Sequence, residues 1–559
     1  MQVPVSVCFA MLVATAGVSM MAASASAEVW VVDPLTKVFR DSTPADAPQE
    51  IRASGVRGEY VSAQLVVRPA AALPSLRVRT SALRQAGGKG RIAADHVRAR
   101  FVGYVPVNKN TPYTPPEELV RAAPDDFPDP LLEVGTLRVE ARQAQPIWIT
   151  IQVPRDARAG EYRGKVDIEG EESISLPIAL TVYPITLPAR NPLWITNWFA
   201  HHNIAKYHSA AMWSDAYWEM LDKYARIMAE HGQNTVLTPL FALIDFYEEA
   251  DGSWSFDFTR FDRWVRLFRA AGFRRIEGGH LGGRGPGGWE SPDFWIHGFA
   301  VIDRKTGDRT EYERGPMYTP HIRRLLRDFL PALQAHLAKR GWLDDYLQHI
   351  ADEPIAQNAK SYAAIARRLK RYAPELPRID ANMTPELAGS LEVWVPILDQ
   401  FDRDHEFYMK RRKAGEEVWF YTCLAPRGKY PNRLIDFSLV KVRLLHWINY
   451  KFQADGYLHW GLNFWTETPF ESVEAGDLPP GDNAIVYPGR DGPLSSIRFE
   501  AMRDGIEDYQ LLRILEAKRG RAKALEICDS ILREITDYEH DPEALLNARE
   551  RVVAAIRGR

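Results

Sequence analysis

Residues 28 to 188 contain short runs in which apolar and polar positions alternate, the pattern of strands that bury one face. Glycine, proline and aspartate separate these runs, which are rich in β-branched and aromatic residues. The clearest runs cover residues 60–67, 147–153, 164–168 and 178–183. Several short strands with regular turn signals predict a β-sandwich. We interpret this N-terminal domain, residues 28–188, as a packing or spacer module rather than a catalytic one.

The pattern changes after Pro192, where strand-like runs begin to alternate with longer stretches of helical spacing. In one such stretch, 217–228, apolar residues recur three or four positions apart, and Gly232 follows as a helix stop. The strand-like runs cover residues 194–199, 235–240, 275–280, 346–351, 378–382, 393–397, 418–423 and 457–464. Strands that alternate with helices in this number predict a (β/α)8 TIM-like barrel over residues 189–494. A doubly wound open sheet is the competing interpretation, but no glycine fingerprint follows its first strand.

Residues 495–559 form a charged stretch that includes the segment RFEAMRDGIEDYQLLRILEA. Its spacing predicts a C-terminal helical segment that begins as the last helix of the barrel and continues as a small cap. The Arg and Glu runs are interpreted as solvated faces and ion pairs. The predicted fold class is therefore multidomain: an N-terminal β-sandwich, a central α/β barrel and a short C-terminal helical segment.

The first 27 residues predict a secretory signal peptide. Residues 4–23 are apolar, and Ala25-Ser26-Ala27 supplies a small-residue cleavage site after Ala27. The segment is atypical because no Lys or Arg precedes Lys37. An uncleaved membrane anchor is the alternative, since about 20 apolar residues can just span a bilayer. We expect an exported protein, periplasmic or extracellular, with no membrane span after signal cleavage.

Composition narrows the function classes. The chain has 559 residues, 26% charged and 46% hydrophobic, with 70 Lys and Arg against 73 Asp and Glu, so its formal net charge is −3. These values exclude a disordered chain, which would be poor in apolar residues and carry a large net charge. They also argue against a nucleic-acid partner bound through bulk positive charge.

Cysteine and histidine positions give no metal signature. Cys8 lies in the predicted signal peptide, while Cys423 and Cys528 lie in different segments, and the sequence does not show that they pair. No Cys or His cluster has zinc spacing, and the group formed by His201, His202 and His208 is weak. We therefore expect no metal and no cofactor.

The fourth predicted strand ends in His349-Ile350-Ala351-Asp352-Glu353-Pro354, which places two adjacent carboxylates at a strand exit. In a barrel of this kind, active-site residues come from the carboxyl ends of the strands. Both side chains can face the barrel mouth because the alternation of a strand breaks where the loop begins. Two carboxylates held close together cannot both ionise easily, so one pKa rises and favours a general acid. The alternative is a helix start, with Asp352 as the N-cap and Pro354 in the first turn.

A second carboxylate is missing where retaining glycosidases commonly place it. Most of these enzymes need a nucleophile about 5 Å from the acid. Here the seventh strand runs through WFYTCLAP, residues 419–426, without an acid, and Glu416 and Glu417 precede it at the wrong end. This points to the substrate-assisted route, in which the 2-acetamido carbonyl of the sugar attacks the anomeric carbon. That route needs one acid/base and one carboxylate to hold the acetamido N–H, and an adjacent Asp–Glu pair supplies both.

Four segments together resemble glycoside hydrolase family 123, and the resemblance covers residues 30–515. They are Asp352-Glu353-Pro354, the 419–426 strand with Tyr430-Pro431-Asn432, GYLHWGLNFW at 456–465 and RFEAMRDGIEDYQLL at 498–512. The resemblance implies an exo-acting, retaining β-N-acetylgalactosaminidase that uses the 2-acetamido group of its substrate. It also implies that Glu353 is the acid/base and that Asp352 orients the acetamido group.

Other strand ends offer substrate-binding partners around the pair. Tyr421 could donate a hydrogen bond to the acetamido oxygen, and Trp460 and Trp465 could wall the pocket; core packing is the alternative for all three. Asn463 and Asn382 could bind sugar hydroxyls, although Asn at strand ends also makes turns. We expect the glycine-rich loop 280–289 to form a mobile rim beside the pocket; it begins with His280, and Trp198, His201 and His202 are weaker candidates of the same kind.

Two other functions remain open. The chain could be a retaining glycosidase for sugars without an acetamido group, with Glu467 or Asp399 brought in by a loop as the nucleophile. It could also be a non-catalytic surface protein that binds glycans through the sandwich. The favoured partner is a carbohydrate substrate, an N-acetylhexosamine-containing glycan; the sequence does not indicate an oligomeric state.

Overall fold

A computed structural model describes residues 27–44, 49–171 and 173–558. The predicted signal peptide, except for Ala27, lies outside the described residues, and so does Cys8. Among the described helices, none is both long and apolar enough to cross a bilayer.

The part of the chain before residue 190 is rich in β-structure, as predicted. Its strands are β1 (Glu28–Val32), β2 (Ile51–Arg57), β3 (Tyr60–Arg68), β4 (Leu73–Thr80), β5 (Leu83–Gln85), β6 (Arg91–Ile92), β7 (Val97–Val107), β8 (Asp125–Leu132), β9 (Leu137–Val139), β10 (Gln145–Gln152), β11 (Gly160–Glu169) and β12 (Ser173–Thr186). One sheet has the order β1-β3-β10-β7-β8, and a second has the order β2-β12-β11-β4-β9 with β5 and β6 beside it. Apolar side chains from both sheets, such as Leu65 and Ile149 from the first and Val166 and Leu180 from the second, share one buried core.

Eight strands with parallel pairing follow, one at each position where the sequence predicts a strand. They are β13 (Trp194–Asn197), β14 (Thr235–Thr238), β17 (Arg275–Gly278), β23 (Tyr346–Gln348), β24 (Ile379–Asn382), β25 (Val393–Pro396), β26 (Glu417–Thr422) and β27 (Gly456–His459). One parallel sheet joins β14, β17 and β23, and another has the order β13-β27-β26-β25-β24. The first and last strands are therefore neighbours, and a parallel bridge from Gln348 to Arg378 links the two sheets.

Helices connect these strands along the chain. Their bounds are α1 (His201–Tyr207), α2 (Asp215–Glu230), α3 (Leu240–Leu243), α4 (Thr259–Ala271), α5 (Pro320–Arg340), α6 (Ala359–Tyr372), α7 (Leu398–Arg403), α8 (His405–Lys413), α9 (Leu439–Lys451), α10 (Ile497–Arg519), α11 (Arg521–Asp529) and α12 (Pro542–Ile556). In α4 the residues at helical spacing, including Trp264 and Phe268, are buried, and the helix ends at Gly272 with a left-handed φ of +110°.

Two insertions add short strands beside the second and third parallel strands. They hold β15 (Asp245–Glu248), β16 (Trp254–Asp257), β18 (Gly282–Arg284), β19 (Phe294–Ile296), β20 (Phe299–Ile302), β21 (Arg309–Tyr312) and β22 (Gly315–Pro316). Later short strands are β28 (Tyr487–Pro488), β29 (Pro493–Leu494), β30 (Leu532–Glu534) and β31 (Asp537–Tyr538). The segment 280–289, which the sequence predicts to be a mobile rim loop, is in part a strand: β18 forms a sheet with β19 and β22. This sheet anchors the loop beside the exits of the parallel strands.

The predicted ion pairs are present in the C-terminal segment, but the expectation of solvated charged faces is wrong for most of α10. Helix α10 packs against α9, α11 and α12 and also contacts β3 and β8 of the N-terminal part, so little of it meets solvent. Six of its charged side chains are buried: Arg498, Glu500, Arg503, Asp504, Glu507 and Asp508. Ion pairs make this possible, as when Arg498 donates to Asp129 at 2.9 and 2.8 Å.

Candidate active site

The segment after β23 presents two adjacent carboxylates because a buried acid and a left-handed residue shape its backbone. The Asp380 carboxylate on β24 accepts from the backbone N–H groups of Ile350 at 2.9 Å and Ala351 at 3.3 Å. Glu353 then adopts a φ of +48°, and its N–H donates to the Ala381 carbonyl at 3.0 Å. A left-handed φ is uncommon in a non-glycine residue, and it breaks the strand alternation at this point. The turn that follows is capped by Ile355, so Asp352 does not begin a helix.

The Glu353 side chain is held by a tyrosine and faces an arginine. Tyr421, buried on β26, donates from its hydroxyl to Glu353 Oε1 at 2.5 Å. Arg284 donates to the Glu353 backbone carbonyl at 2.5 Å, and its Nη2 lies 4.0 Å from Glu353 Oε2. The guanidinium of Arg284 stacks on the ring of Trp289, 3.7 Å from its centre, which fixes the arginine at the rim.

Asp352 is the less supported carboxylate of the pair. Among the described residues no hydrogen bond reaches its side chain. The His280 ring lies near it, with Nε2 3.8 Å from Asp352 Oδ1. About half of its side chain, 48%, is exposed, and the charges of Glu353 and Asp380 act on it. Loss of solvation and then the charge of Glu353 raise the pKa of Asp352 to about 7. The proton belongs to the pair, which keeps one proton close to neutral pH.

Three fully buried residues near Asp352 contact one another: His349, Asp380 and Glu277. We call this group the relay. His349 Nδ1 is 2.8 Å from Asp380 Oδ1, and its Nε2 is 3.6 Å from Glu277 Oε1. Burial disfavours the charged ring, but the two carboxylates outweigh it and raise the pKa of His349 to about 9. His280 is different: burial, together with the charge of His349, lowers its pKa well below the usual range. The relay therefore holds one imidazolium between two acids, with a neutral histidine next to Asp352.

The histidines and Asp380 also form the candidate metal-ligand group of the described residues. Ligand atoms of His280, His349 and Asp380 lie within 4.8 Å of one another. Since His349 Nδ1 already forms a hydrogen bond with Asp380, we assign no ion to this group. His208, from the weak cluster of the sequence, bonds instead to the Tyr224 hydroxyl at 2.8 Å.

The other predicted binding residues lie in different surroundings. Asn382 is buried beside Asp380, and its Oδ1 has no partner in the described part of the chain. Trp460 is partly buried and donates to both oxygens of Asp482 at 3.2 Å. Asn463 exchanges hydrogen bonds with the backbone of Ala200, which ties two strand exits together.

Trp465 is placed in the hydrophobic core rather than beside the acid pair. Its Nε1 donates to the Val486 carbonyl at 2.7 Å, and its ring meets Tyr207 at 4.9 Å between centres. The structure therefore brings Tyr421 and His280 to the pair, while the contacts of Trp465 and Asn463 are structural.

The two alternative nucleophiles make contacts elsewhere. Glu467 is 84% exposed and pairs with Lys206 at 2.7 Å. Asp399 lies in the first turn of α7 and accepts from the N–H of Gln400 at 3.0 Å. Neither contact leads to Asp352 or Glu353.

Four residues that shape the site are not among the predicted ones. Arg284 lies in the glycine-rich loop, and its charge is the one feature of the sequence that could have identified it as a site residue. His349, Asp380 and Glu277 lie on or beside β23, β24 and β17, which the sequence predicts to be strands. A charged residue inside a run that predicts a buried strand is the signal that could have identified them, since such a group needs a buried partner.

Comparisons with known proteins give a family match over most of the chain. The family description "Glycoside hydrolase 123, catalytic domain" matches residues 198–515, and "Glycoside hydrolase 123 N-terminal domain" matches residues 37–170. A family 123 glycoside hydrolase from Clostridium perfringens aligns with a TM-score of 0.76 at 16% identity, covering 95% of this chain and 98% of that chain. A Bacteroides ovatus GH5 xyloglucanase aligns with a TM-score of only 0.29 at 8% identity, covering 86% of this chain and 100% of that one. Among curated proteins, none matches the sequence.

Proposed function

Since this chain belongs to glycoside hydrolase family 123 and is therefore a hydrolase acting on glycans, we propose that it is an exported, exo-acting β-N-acetylgalactosaminidase. In this proposal the enzyme retains the anomeric configuration, and the 2-acetamido group of the substrate replaces an enzyme nucleophile. The observation that supports it most is the adjacent pair of Asp352 and Glu353 at a strand exit, one bonded to Tyr421 and the other without a hydrogen bond among the described residues.

The first step uses the single proton that the pair keeps. When the acetamido N–H donates to Asp352, the ionised form of Asp352 is favoured and the proton of the pair passes to Glu353. Glu353 gives this proton to the glycosidic oxygen as the C1–O bond breaks, and the bonding electrons go to that oxygen. The acetamido carbonyl oxygen forms a new bond to C1, and Asp352 offsets the charge of the resulting oxazolinium.

The second step reverses the roles. Glu353, now a carboxylate, takes a proton from a water molecule that attacks C1, and the bond from C1 to the acetamido oxygen breaks. Two displacements at C1 return the sugar with its original β configuration. Tyr421 transfers its hydrogen bond from Glu353 to the acetamido oxygen in the first step, because a protonated carboxyl is the weaker acceptor.

The local carboxylates favour this route over an enzyme nucleophile. In retaining glycosidases the nucleophile lies about 5 Å from the acid. Glu467 and Asp399 make other contacts, and Asp380 and Glu277 are fully buried in the relay with His349. The N-acetyl group is then the group available to attack C1.

We further propose the architecture and location that this function needs. The two parallel sheets make one closed (β/α)8 barrel, residues 189–494, next to an N-terminal sandwich, residues 28–188, and a helical segment, 495–559. The chain is exported by a signal peptide ending at Ala27, to the periplasm or beyond the cell. The Clostridium perfringens relative is described as acting in glycolipid glycan hydrolysis, and we propose a glycan with terminal N-acetylgalactosamine as the substrate class here.

A panel of aryl β-glycosides tests the proposal. We expect hydrolysis of the N-acetylgalactosaminide, weaker hydrolysis of the N-acetylglucosaminide, and at least 100-fold lower kcat/KM for the galactoside that lacks the acetamido group. Proton NMR of the first product should show the β anomer. Equal rates on the galactoside, or an α first product, would contradict the proposed mechanism.

A further inference from the structure

The large apolar side chains that the fold leaves exposed are unevenly distributed. In the described part of the chain they are Tyr113, Val134, Met212, Trp289, Tyr318 and Leu424. All of them except Tyr113 and Val134 lie in connections that run from a parallel strand to a following helix, namely β13 to α2, β17 to α5 and β26 to α9. Such connections leave the carboxyl ends of parallel strands and therefore share one side of the sheet. Asp352 and Glu353, which follow β23, lie on the same side.

Tyr113 belongs to the N-terminal part of the chain but joins this side. Arg427, in the connection after β26, lies over the Tyr113 ring, 5.8 Å from its centre, and donates to the Leu424 carbonyl at 2.6 Å. The Asp436 carboxylate, in the same connection, accepts from the Thr111 N–H at 2.6 Å and from the Thr111 hydroxyl at 2.8 Å. Every exposed large apolar side chain of the described residues except Val134 is therefore beside the strand exits. We call Tyr113, Met212, Trp289, Tyr318 and Leu424 the exit face.

The Tyr113 side chain projects into solvent from a strained loop. It is 92% exposed, and its backbone φ of +57° is uncommon for a bulky residue. The hydrogen bonds from Thr111 to Asp436 hold the loop two residues before it. Such strain persists only where the surrounding structure enforces it, and it clusters at functional sites. The fold thus fixes an aromatic ring in solvent at a cost in backbone strain, as expected where a partner covers the ring.

The groups beside the exposed rings suit the boundary between lipid headgroups and acyl chains. Arg284 stacks on the Trp289 ring, 3.7 Å from its centre, and Arg427 lies over Tyr113. Trp and Tyr rings favour this boundary, and a neighbouring Arg keeps its charge in the headgroup layer. The combination of an exposed ring and an adjacent guanidinium occurs on both sides of Glu353, since Arg284 donates to the Glu353 carbonyl and Leu424 lies three residues after Tyr421.

A bilayer fits the exit face better than a protein partner does. A stable protein interface buries one continuous patch of about 800 Å² on each partner, whereas these side chains project from separate connections. Lipids rearrange around each inserted side chain, so a bilayer accepts separate anchors. The exposed charges of the Tyr113 loop, Lys109 and Glu117, cancel. Apolar insertion therefore drives the contact, and a zwitterionic lipid suffices for it.

We propose that the exit face docks on a lipid bilayer, with Tyr113 and Leu424 inserted at the headgroup boundary. The acid pair then faces the membrane surface. The proposal rests on the proposed function and deepens it, because the substrate becomes an N-acetylgalactosamine glycan carried by a membrane lipid. Docking brings the enzyme to a substrate that does not leave the membrane.

Sedimentation with phosphatidylcholine vesicles tests the contact without requiring hydrolysis. The double variant Tyr113→Asn/Leu424→Gln should bind at least about tenfold more weakly than the wild type, because two apolar side chains no longer enter the lipid. Asparagine tolerates a left-handed φ, so the loop keeps its shape. Val134→Gln changes an exposed apolar residue outside the exit face and is the matched control, which should bind as the wild type does. Tyr113→Trp, which keeps an aromatic anchor, should also retain binding.

The outcomes of this experiment are distinct. No vesicle binding by the wild type, or equal binding by the wild type and the double variant, would overturn the proposal. An equal loss in Val134→Gln would contradict it as well, since binding would then not select the exit face. Binding should persist at high salt; its loss there would show that charge, rather than the inserted side chains, makes the contact.

A kinetic arm separates a membrane from a soluble partner. For a dialkylglycerol β-N-acetylgalactosaminide in vesicles, kcat/KM should fall at least about fivefold in the double variant. For 4-nitrophenyl β-N-acetylgalactosaminide it should stay unchanged, because that substrate requires no membrane contact. An equal loss on a soluble glycoprotein with terminal N-acetylgalactosamine would show that the exit face binds protein and would overturn the proposal. If the wild type hydrolyses no N-acetylhexosaminide, the proposed function fails, and sedimentation still decides the membrane contact.

Discussion

Glu500 in α10 and Asp352 after β23 are both carboxylates within the protein, but their neighbours differ. Glu500 is fully buried and accepts from Arg100 at 2.9 Å and from Arg503 at 2.6 Å. Burial alone would raise its pKa, yet the two arginines hold the pKa of Glu500 well below its usual range. Asp352 has no arginine bonded to it and a second acid next to it, and its pKa rises to about 7. Glu500 is thus neutralised by arginines of the protein, whereas Asp352 has no such partner and can accept a hydrogen bond from a substrate.

Glu507 shows that partners, rather than position, make the difference. It lies on α10 two turns from Glu500 and is also buried. Its carboxylate accepts from the backbone N–H of Tyr60 at 3.0 Å and lies close to Glu59. Burial and then the charge of Glu59 raise the pKa of Glu507 well above its usual range. An acid in the same helix thus behaves like Asp352 when it lacks a bonded arginine.

The largest effect should come from Glu353→Gln. Without an acid that donates to the leaving oxygen, kcat for an unactivated glycoside should fall about 10³-fold, while the melting temperature stays unchanged. Glu467→Gln, at an exposed acid, is the matched control and should keep kcat within twofold. Wild-type kcat in Glu353→Gln would show that another group supplies the proton.

In the ion-pair cluster the corresponding change should affect stability instead. Arg503→Met leaves Glu500 buried with one partner fewer, which should lower the free energy of unfolding by about 3–5 kcal/mol. The control is Arg513→Met, half exposed on the same helix, which should change it by less than about 0.5 kcal/mol. Denaturant unfolding measures both values. Equal stability of the two variants would mean that the pairing of Glu500 does not hold the helix in place.

Asp352→Asn should lower kcat about 10²-fold and shift the pH profile. In the wild type, kcat/KM should fall as pH rises through about 7, because the pair then loses the proton that it needs as an acid. The substitution removes one acid of the pair and its like charge, so we expect the alkaline limb to move to lower pH. A limb that stays in place would show that the two acids are not coupled.

Tyr421→Phe tests the hydrogen bond to Glu353 and should have the smallest effect. Loss of one hydrogen bond to a charged group corresponds to about a tenfold lower kcat. Equal kcat in the variant and the wild type would mean that Tyr421 only packs in the core.

The local pattern of apolar residues predicts where the strands lie better than it predicts where they end or which residues they contact. Each of the eight predicted strands has a counterpart, since buried parallel strands are short apolar runs with clear boundaries. The predicted run 346–351 is longer than β23, because His349, Ile350 and Ala351 are also buried and carry no mark of the strand end. The adjacency of Asp352 and Glu353 is visible in the sequence, whereas the contact of Glu353 with Tyr421 joins residues that are 68 positions apart.

The charged helix and the tryptophans show the limits of residue type as evidence. Helix α10 has the composition of a surface helix. Its charged residues are buried because other helices and strands β3 and β8 pack against it. Trp460 and Trp465 look equivalent in GYLHWGLNFW, but one bonds to Asp482 and the other fills the core. Contacts between residues far apart in the sequence decide whether these side chains are buried and what they contact. The residues next to them in the sequence do not indicate it.

Inhibition by an N-acetylgalactosamine-derived thiazoline, which mimics the bicyclic intermediate, tests the central claim most directly. If the acetamido group attacks C1 with Asp352 at its N–H, the inhibition constant should lie at least 100-fold below KM for the aryl glycoside. Asp352→Asn should abolish most of this advantage. Indifference to the thiazoline, together with a carboxylate of the protein covalently labelled by a 2-fluoro glycoside, would contradict the account.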